Sequence, residues 1–248
     1  MDNICKACNY LLNNYPAASE TKEYLNSRLL ESTQEAFNFG YFPNLEHLNS
    51  LTNIIGKEEL IKNNLLYYKI IEDSCSARTI PFSFFNDYQV VMPFKDVYGS
   101  VVSIVGRTLL SEEERQLKKI AKYKNTSFNK GNHLFGLYEN KEEIMKKDYV
   151  FIVEGQFDVI KSYENKLYNI VALGNSNMTA FQFSLICRYT NNLYLLLDND
   201  EAGNKGRDAI HKKYGNFANI KNGFIPPPYK DIDEYLSSKS YNLDILTG

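Results

Sequence analysis

Residues 193–206 read Leu193-Tyr194-Leu195-Leu196-Leu197-Asp198-Asn199-Asp200-Glu201-Ala202-Gly203-Asn204-Lys205-Gly206. Five nonpolar residues in a row, bounded by polar ones, are too few for a helix and suit a strand buried on both faces, while Glu201 to Lys213 has the spacing of an amphipathic helix. The same half holds two more such runs: Tyr149 to Val153, which leads into Glu154-Gly155, and Asn169 to Leu173. Helical spacing recurs near 157–164 and 179–188. Strands this uniformly apolar, alternating with helices, imply a parallel sheet covered on both faces. Residues 148–248 are therefore expected to form an α/β domain. Its end, Pro226-Pro227-Pro228 followed by Asp231-Ile232-Asp233-Glu234-Tyr235-Leu236, reads as a stiff loop entering a last short helix.

In an open parallel sheet the ligand crevice lies beyond the carboxyl ends of the strands. Two strands here end in acid, at Glu154 and at Asp198-Asn199-Asp200, so these side chains are expected to converge at one edge. Asp158, one helical turn after Glu154, can join them. Asp231 and Asp233 follow the proline-rich loop that should return to that edge. Carboxylates without neighbouring histidine or cysteine suit a hard cation, Mg²⁺ or Mn²⁺, which accepts carboxylate, water and phosphate oxygens. Phosphoryl chemistry is the natural use. The plainer reading, that Asp200 and Asp231 only cap the helices that follow them, fits an isolated Asp-x-Asp best. Three such features in one half of one chain favour a site, and individual members can still be caps.

Upstream, residues 1 to about 66 carry helical periodicity, with Leu11, Leu12, Tyr15, Tyr24, Leu25, Leu29 and Leu30 at spacings of three and four. Val90-Val91-Met92 with Phe94, and Val101-Val102 with Ile104-Val105, flank Asp96-Val97-Tyr98-Gly99, a β-hairpin with its glycine last in the turn. Between 115 and 130 stand Arg115, Lys118, Lys119, Lys122, Lys124 and Lys130 with no acid among them. The chain as a whole, 248 residues with 28 Lys and Arg against 30 Asp and Glu, is nearly neutral, so an anionic partner must be met by this local patch. Taken alone, the run could be a solvated helix face. Hydrophobic content of 44% with 7 prolines and 13 glycines excludes collagen-like and low-complexity classes. No apolar run approaches the roughly 18 residues of a membrane span, and the N-terminus lacks a secretory layout. A soluble cytoplasmic protein with reduced cysteines is expected.

The acid-bearing stretches resemble the signature of Toprim domains, and within that group the DnaG-type primases. Val153-Glu154-Gly155-Gln156-Phe157-Asp158-Val159-Ile160 is similar to the family's VEGYMDVI, Leu197 to Gly206 to its FDGDxAGxxA, and Lys230 to Leu236 to its KDPDEYL. The resemblance extends upstream. Tyr24 to Leu30 with Phe39-Gly40-Tyr41-Phe42-Pro43 resembles the opening of the primase core. Val91 to Arg107 resembles its hairpin, and Lys122-Tyr123-Lys124-Asn125-Thr126 with Phe128-Asn129-Lys130-Gly131 its basic motif. Together these cover about 200 residues in colinear order, far more than a single short motif can supply. The resemblance implies an α/β protein: an α+β N-terminal subdomain over 1–147, followed by a Toprim domain over 148–248 with a central, mostly parallel sheet.

It further implies a DNA primase that makes short RNA primers on single-stranded DNA from NTPs during replication. Glu154 would act as general acid/base or metal organiser and Asp198 and Asp200 as metal ligands, supported by Asp158, Asp231 and Asp233, with Mg²⁺ or Mn²⁺ as the ion. Arg107, Lys122, Tyr123, Asn125, Lys130 and Gly131 would hold template and triphosphate. A Toprim nuclease, or a non-catalytic single-strand-binding accessory, are the alternatives.

Three departures stand out. Only Cys5 and Cys8 could begin a zinc ribbon; neither Cys75 nor His47, His133 or His211 has ribbon spacing, so no zinc site is expected and a separate zinc-binding chain is the expected partner. The span after Asp233 is too short for a helicase-docking domain, so a replicative helicase would be met otherwise, as in a minimal bacteriophage primase in host cytoplasm. Finally, Asp87-Tyr88-Gln89 replaces an expected basic residue, and Asn175 follows Gly174 where the family has threonine.

Overall fold

The computed structural model describes residues 1–73, 76–238 and 240–248; Cys75 lies outside them. The chain divides into two compact units, residues 1–94 with 101–128, and residues 95–100 with 129–248.

The first unit opens with helices α1 (Asp2–Asn14), α2 (Ser19–Arg28) and α3 (Glu31–Ala36). On α1, Ile4, Cys5, Ala7, Cys8, Leu11 and Leu12 form one buried face. Cys5 and Cys8 are thus core side chains; burial pushes the Cys8 thiol well above its ordinary range, the opposite of what a metal-ligating thiolate needs. Strand β1 (Gly40–Tyr41) lies against α1 so closely that a Cβ on Gly40 would fall 2.7 Å from the Cys8 carbonyl carbon. Helices α4 (Leu48–Ile55) and α5 (Lys57–Lys62) lead to β2 (Tyr67–Asp73) and β3 (Ser76–Phe82), an antiparallel pair absent from the sequence reading. The predicted hairpin is β4 (Val90–Lys95) and β5 (Val101–Arg107). After α6 (Glu112–Lys118), strand β6 (Tyr123–Asn125) completes a sheet of order β1-β4-β5-β6. The turn between β4 and β5, which belongs to the second unit, is set by Asp96: its Oδ1 accepts from the N–H groups of Tyr98 and Ser100, both at 2.9 Å, and Gly99 takes φ +91°.

The second unit holds α7 (Leu137–Lys147), β7 (Val150–Val153), α8 (Gln156–Glu164), β8 (Ile170–Ala172), α9 (Ala180–Ile186), β9 (Asn192–Leu195), α10 (Glu201–Tyr214), β10 (Asn219–Asn222) and α11 (Ile232–Leu236). Its sheet, ordered β10-β9-β7-β8, pairs in parallel throughout. The expected strands are here. β10, Asn-Ile-Lys-Asn, is an added edge strand that no apolar run could announce, because its residues are mostly exposed. Val150, Ile152, Leu193, Leu195 and Leu197 pack with Ile144, Leu185, Ile210 and Tyr214 into the core that fixes the strand ends. Among the described residues no helix is long and apolar enough to cross a membrane.

Candidate active site

β7 runs into Glu154 and β9 into Asp198 because parallel register brings Ile152 opposite Leu195, so both acids emerge at one sheet edge. The Asp198 N–H donates to Glu154 Oε1 at 3.3 Å. Burial, and then the neighbouring Asp198, push the Glu154 carboxyl above its ordinary range. Asp158 is buried, and its Oδ2 accepts from the Gly155 N–H at 2.9 Å, closing the first turn of α8. Desolvation, followed by repulsion from Asp231, holds Asp158 well above the usual carboxylate range; Asp198 and Asp233 add to that repulsion. The carboxylates are therefore close enough to feel one another.

Asp200 and Asp231 do cap their helices. Asp200 Oδ1 accepts from Gly203 N–H at 2.9 Å at the start of α10, a contact that holds its carboxyl low, and Asp231 Oδ1 accepts from Glu234 N–H at 2.8 Å at the start of α11. α10 can begin here because Gly203 has no side chain: a Cβ would sit 2.1 Å from the Asp198 carbonyl oxygen. Among the described residues no three acid, histidine or cysteine side chains stand as a ready-made metal group. The set of six acids expected from the sequence is not preassembled, since Asp158, Asp200 and Asp231 each have one oxygen occupied by a backbone N–H. A cation is nonetheless held there. The ammonium of Lys230 lies 3.3 Å from Asp198 Oδ2 and 3.3 Å from Asp200 Oδ2. Oxygen-only donors, mutual repulsion and a cation already at two of them fit a hard divalent ion such as Mg²⁺, which needs only one or two carboxylates beside water and phosphate.

Three neighbours escaped the sequence reading. Arg207 donates from Nη1 to the Leu197 carbonyl at 2.6 Å and from Nη2 to the Asp198 carbonyl at 3.1 Å, fixing the segment that carries the acids. Asn199 donates from its side chain to the carbonyls of Ile225 and Tyr229 and from its N–H to that of Lys230, tying the proline-rich loop to β9. Lys230 follows from that tie. Its position just before Asp231 was the available signal; Arg207 and Asn199 act through backbone carbonyls, which leave no residue pattern.

Of the expected phosphate-binding residues, Lys130 and Gly131 sit beside the acid-bearing edge. Lys130 Nζ donates to the Gly174 carbonyl at 2.5 Å, Gly174 N–H donates to the Glu154 carbonyl at 2.9 Å, and Thr179 Oγ1 donates to the Gly131 carbonyl at 2.6 Å. Desolvation lowers the Lys130 pKa. Arg107, Lys122, Tyr123 and Asn125 belong to the first unit. There Arg107 lies opposite Tyr123 across β5 and β6, donates to its hydroxyl at 2.7 Å, and stands 5.1 Å from the Tyr24 ring centre. The basic run is not one helix face. It passes from α6 through Lys119 at φ +55° into β6, with Lys118 paired to Asp87 at 2.6 Å.

Residues 9–141 match the family model described as the DNA primase catalytic core, N-terminal domain. The chain belongs to the DNA primase catalytic core family. Residues 151–236 of this primase-family chain match a second model, described as Toprim-like. The DNA primase of Aquifex aeolicus is 28% identical over 233 residues, which is 93% of this chain and 45% of that protein. The chain thus spans less than half the length of that curated relative. Among solved structures, the zinc-binding and RNA polymerase domains of the Aquifex aeolicus primase superpose with TM-score 0.73 at 29% identity, covering 94% of this chain and 56% of the other. The Escherichia coli primase catalytic core does so with TM-score 0.73 at 25% identity, covering 94% and 73%. The α/β fold with a parallel C-terminal sheet is that of the primase catalytic core.

Proposed function

We propose that this chain is a primase core that joins ribonucleotides into short primers on a single-stranded DNA template. The observation that carries the reading is the convergence of Glu154, Asp198 and Asp200 on one strand-end edge of a primase-family chain, with Lys130 held at the same edge. Glu154, Asp198 and Asp200 would hold Mg²⁺ or Mn²⁺, with the second oxygens of Asp158 and Asp231, and Asp233, in support. The ion supplies Lewis-acid stabilisation of the charge that develops on the phosphates. Burial and the neighbouring Asp198 raise the Glu154 pKa, the direction that favours a role as general acid/base. Arg107, Lys122 and Lys130 would neutralise phosphates, Tyr123 and Asn125 contact nucleotides, and Gly131 admit a phosphate close to the backbone. A replicative helicase and a separate zinc-binding chain are the proposed partners, in a cytoplasmic setting.

The test is primer synthesis by the purified chain on defined single-stranded oligonucleotides with NTPs and Mg²⁺ or Mn²⁺. Labelled RNA should appear and should vanish in Asp198→Ala. Cleavage of labelled DNA without NTPs, in place of synthesis, would assign the acids to a nuclease; salt-sensitive single-strand binding that survives loss of Asp198 and Asp200, with no synthesis, would assign an accessory role.

A further inference from the structure

Lys230 stands in a peculiar position for a surface lysine. Its backbone is pinned on both sides: its carbonyl accepts from Asn199 N–H at 2.7 Å and its N–H donates to Glu234 Oε2 at 2.9 Å. Its side chain, by contrast, is 53% exposed, and the ammonium reaches in to lie equidistant from Asp198 and Asp200. A Mg²⁺ ion bonds carboxylate oxygens directly, so an ion drawn to the same two Oδ2 atoms would compete with that ammonium for them, and two cations there would repel. The pinned backbone keeps the side chain available while its four-carbon stem lets the head swing into solvent.

The geometry points to Lys230 as a tethered place-holder that neutralises the Asp198–Asp200 pair and must be displaced before a divalent ion can bind. The site would then take its metal by exchange of one cation for another rather than by filling an uncompensated acidic pocket. Metal-free chain would be kept folded at this edge, and weakly held or adventitious ions would be excluded. The inference rests on the reading of these acids as the metal site and adds a competitor to it.

Mn²⁺ binding to the full chain, followed by electron paramagnetic resonance of the free ion, separates the two. Lys230→Met should bind Mn²⁺ about three- to tenfold more tightly than the parent, as expected from removing a partly exposed ion pair at each acid. Lys230→Arg, which keeps the charge, should stay within about twofold. Without metal, Lys230→Met should melt at lower temperature than the parent, and saturating Mn²⁺ should raise its melting temperature by more. Equal or weaker Mn²⁺ binding by Lys230→Met, with circular dichroism unchanged, overturns the place-holder while leaving the metal site intact. Absence of binding in all three proteins overturns the metal reading and the place-holder with it.

Discussion

Gly174→Ala perturbs two things at once, and the structure allows them to be separated. Gly174 follows β8 with φ +86°, a conformation in which a Cβ is strained by about 1–2 kcal/mol. The added methyl would also stand 2.0 Å from Lys130 Cε, so the lysine must leave the Gly174 carbonyl. A charge-assisted hydrogen bond is worth roughly 1.5–3 kcal/mol when buried; Lys130 is only partly buried, and about 1–1.5 kcal/mol is the discounted figure. Gly174→Ala should therefore lose about 2–3.5 kcal/mol in urea denaturation. Lys130→Met should lose about 1–1.5 kcal/mol, and in its background Gly174→Ala should lose only the backbone strain. The double-mutant cycle is then less than additive by about 1 kcal/mol. Strict additivity, within about 0.3 kcal/mol, would refute the claim that Lys130 is seated against Gly174.

Two further variants bear on the acid-bearing edge. Asp158 is held protonated to higher pH in the folded chain than in the unfolded one, so its stability contribution is full below the unfolded pKa of about 3.9 and falls as pH rises through the folded value. Asp158→Asn keeps an oxygen for the Gly155 N–H. In metal-free chain it should raise stability by about 1–3 kcal/mol at pH 8, with the gain fading as pH approaches 4; a loss that is constant across pH would show that packing outweighs charge. Arg207→Met removes two donors from the Leu197 and Asp198 carbonyls and should cost about 2–3 kcal/mol in urea midpoint measurements. Arg207→Lys cannot fork across both carbonyls, and its full retention of stability would contradict the role given to the guanidinium.

Much of the second unit is legible in one dimension. Parallel strands buried on both faces must be apolar runs, and whatever follows them must lie at the carboxyl edge; Val150–Val153 and Leu193–Leu197 with Glu154, Asp198 and Asp200 obey that rule. The turn at Asp96–Gly99 is equally local, since Asp96 bonds backbone two and four residues ahead. Elements without such a signal were missed. β10 is exposed and polar, and β2 and β3 carry mixed residues because much of their length is not buried. Cys5 and Cys8 spell half a metal site on paper, yet helical spacing puts both on the core face of α1.

Fold class and family were thus legible in the sequence alone, because strand ends and helix starts are governed by local residue type. What each of the carboxylates contacts was decided only by tertiary structure. Asp158, Asp200 and Asp231 each give an oxygen to a helix start, and Lys230, 32 residues beyond Asp198, returns as the counter-cation of Asp198 and Asp200. That return depends on Asn199 binding the carbonyls of Ile225, Tyr229 and Lys230, and a backbone carbonyl has the same chemistry at every residue, so no pattern of side chains can announce it.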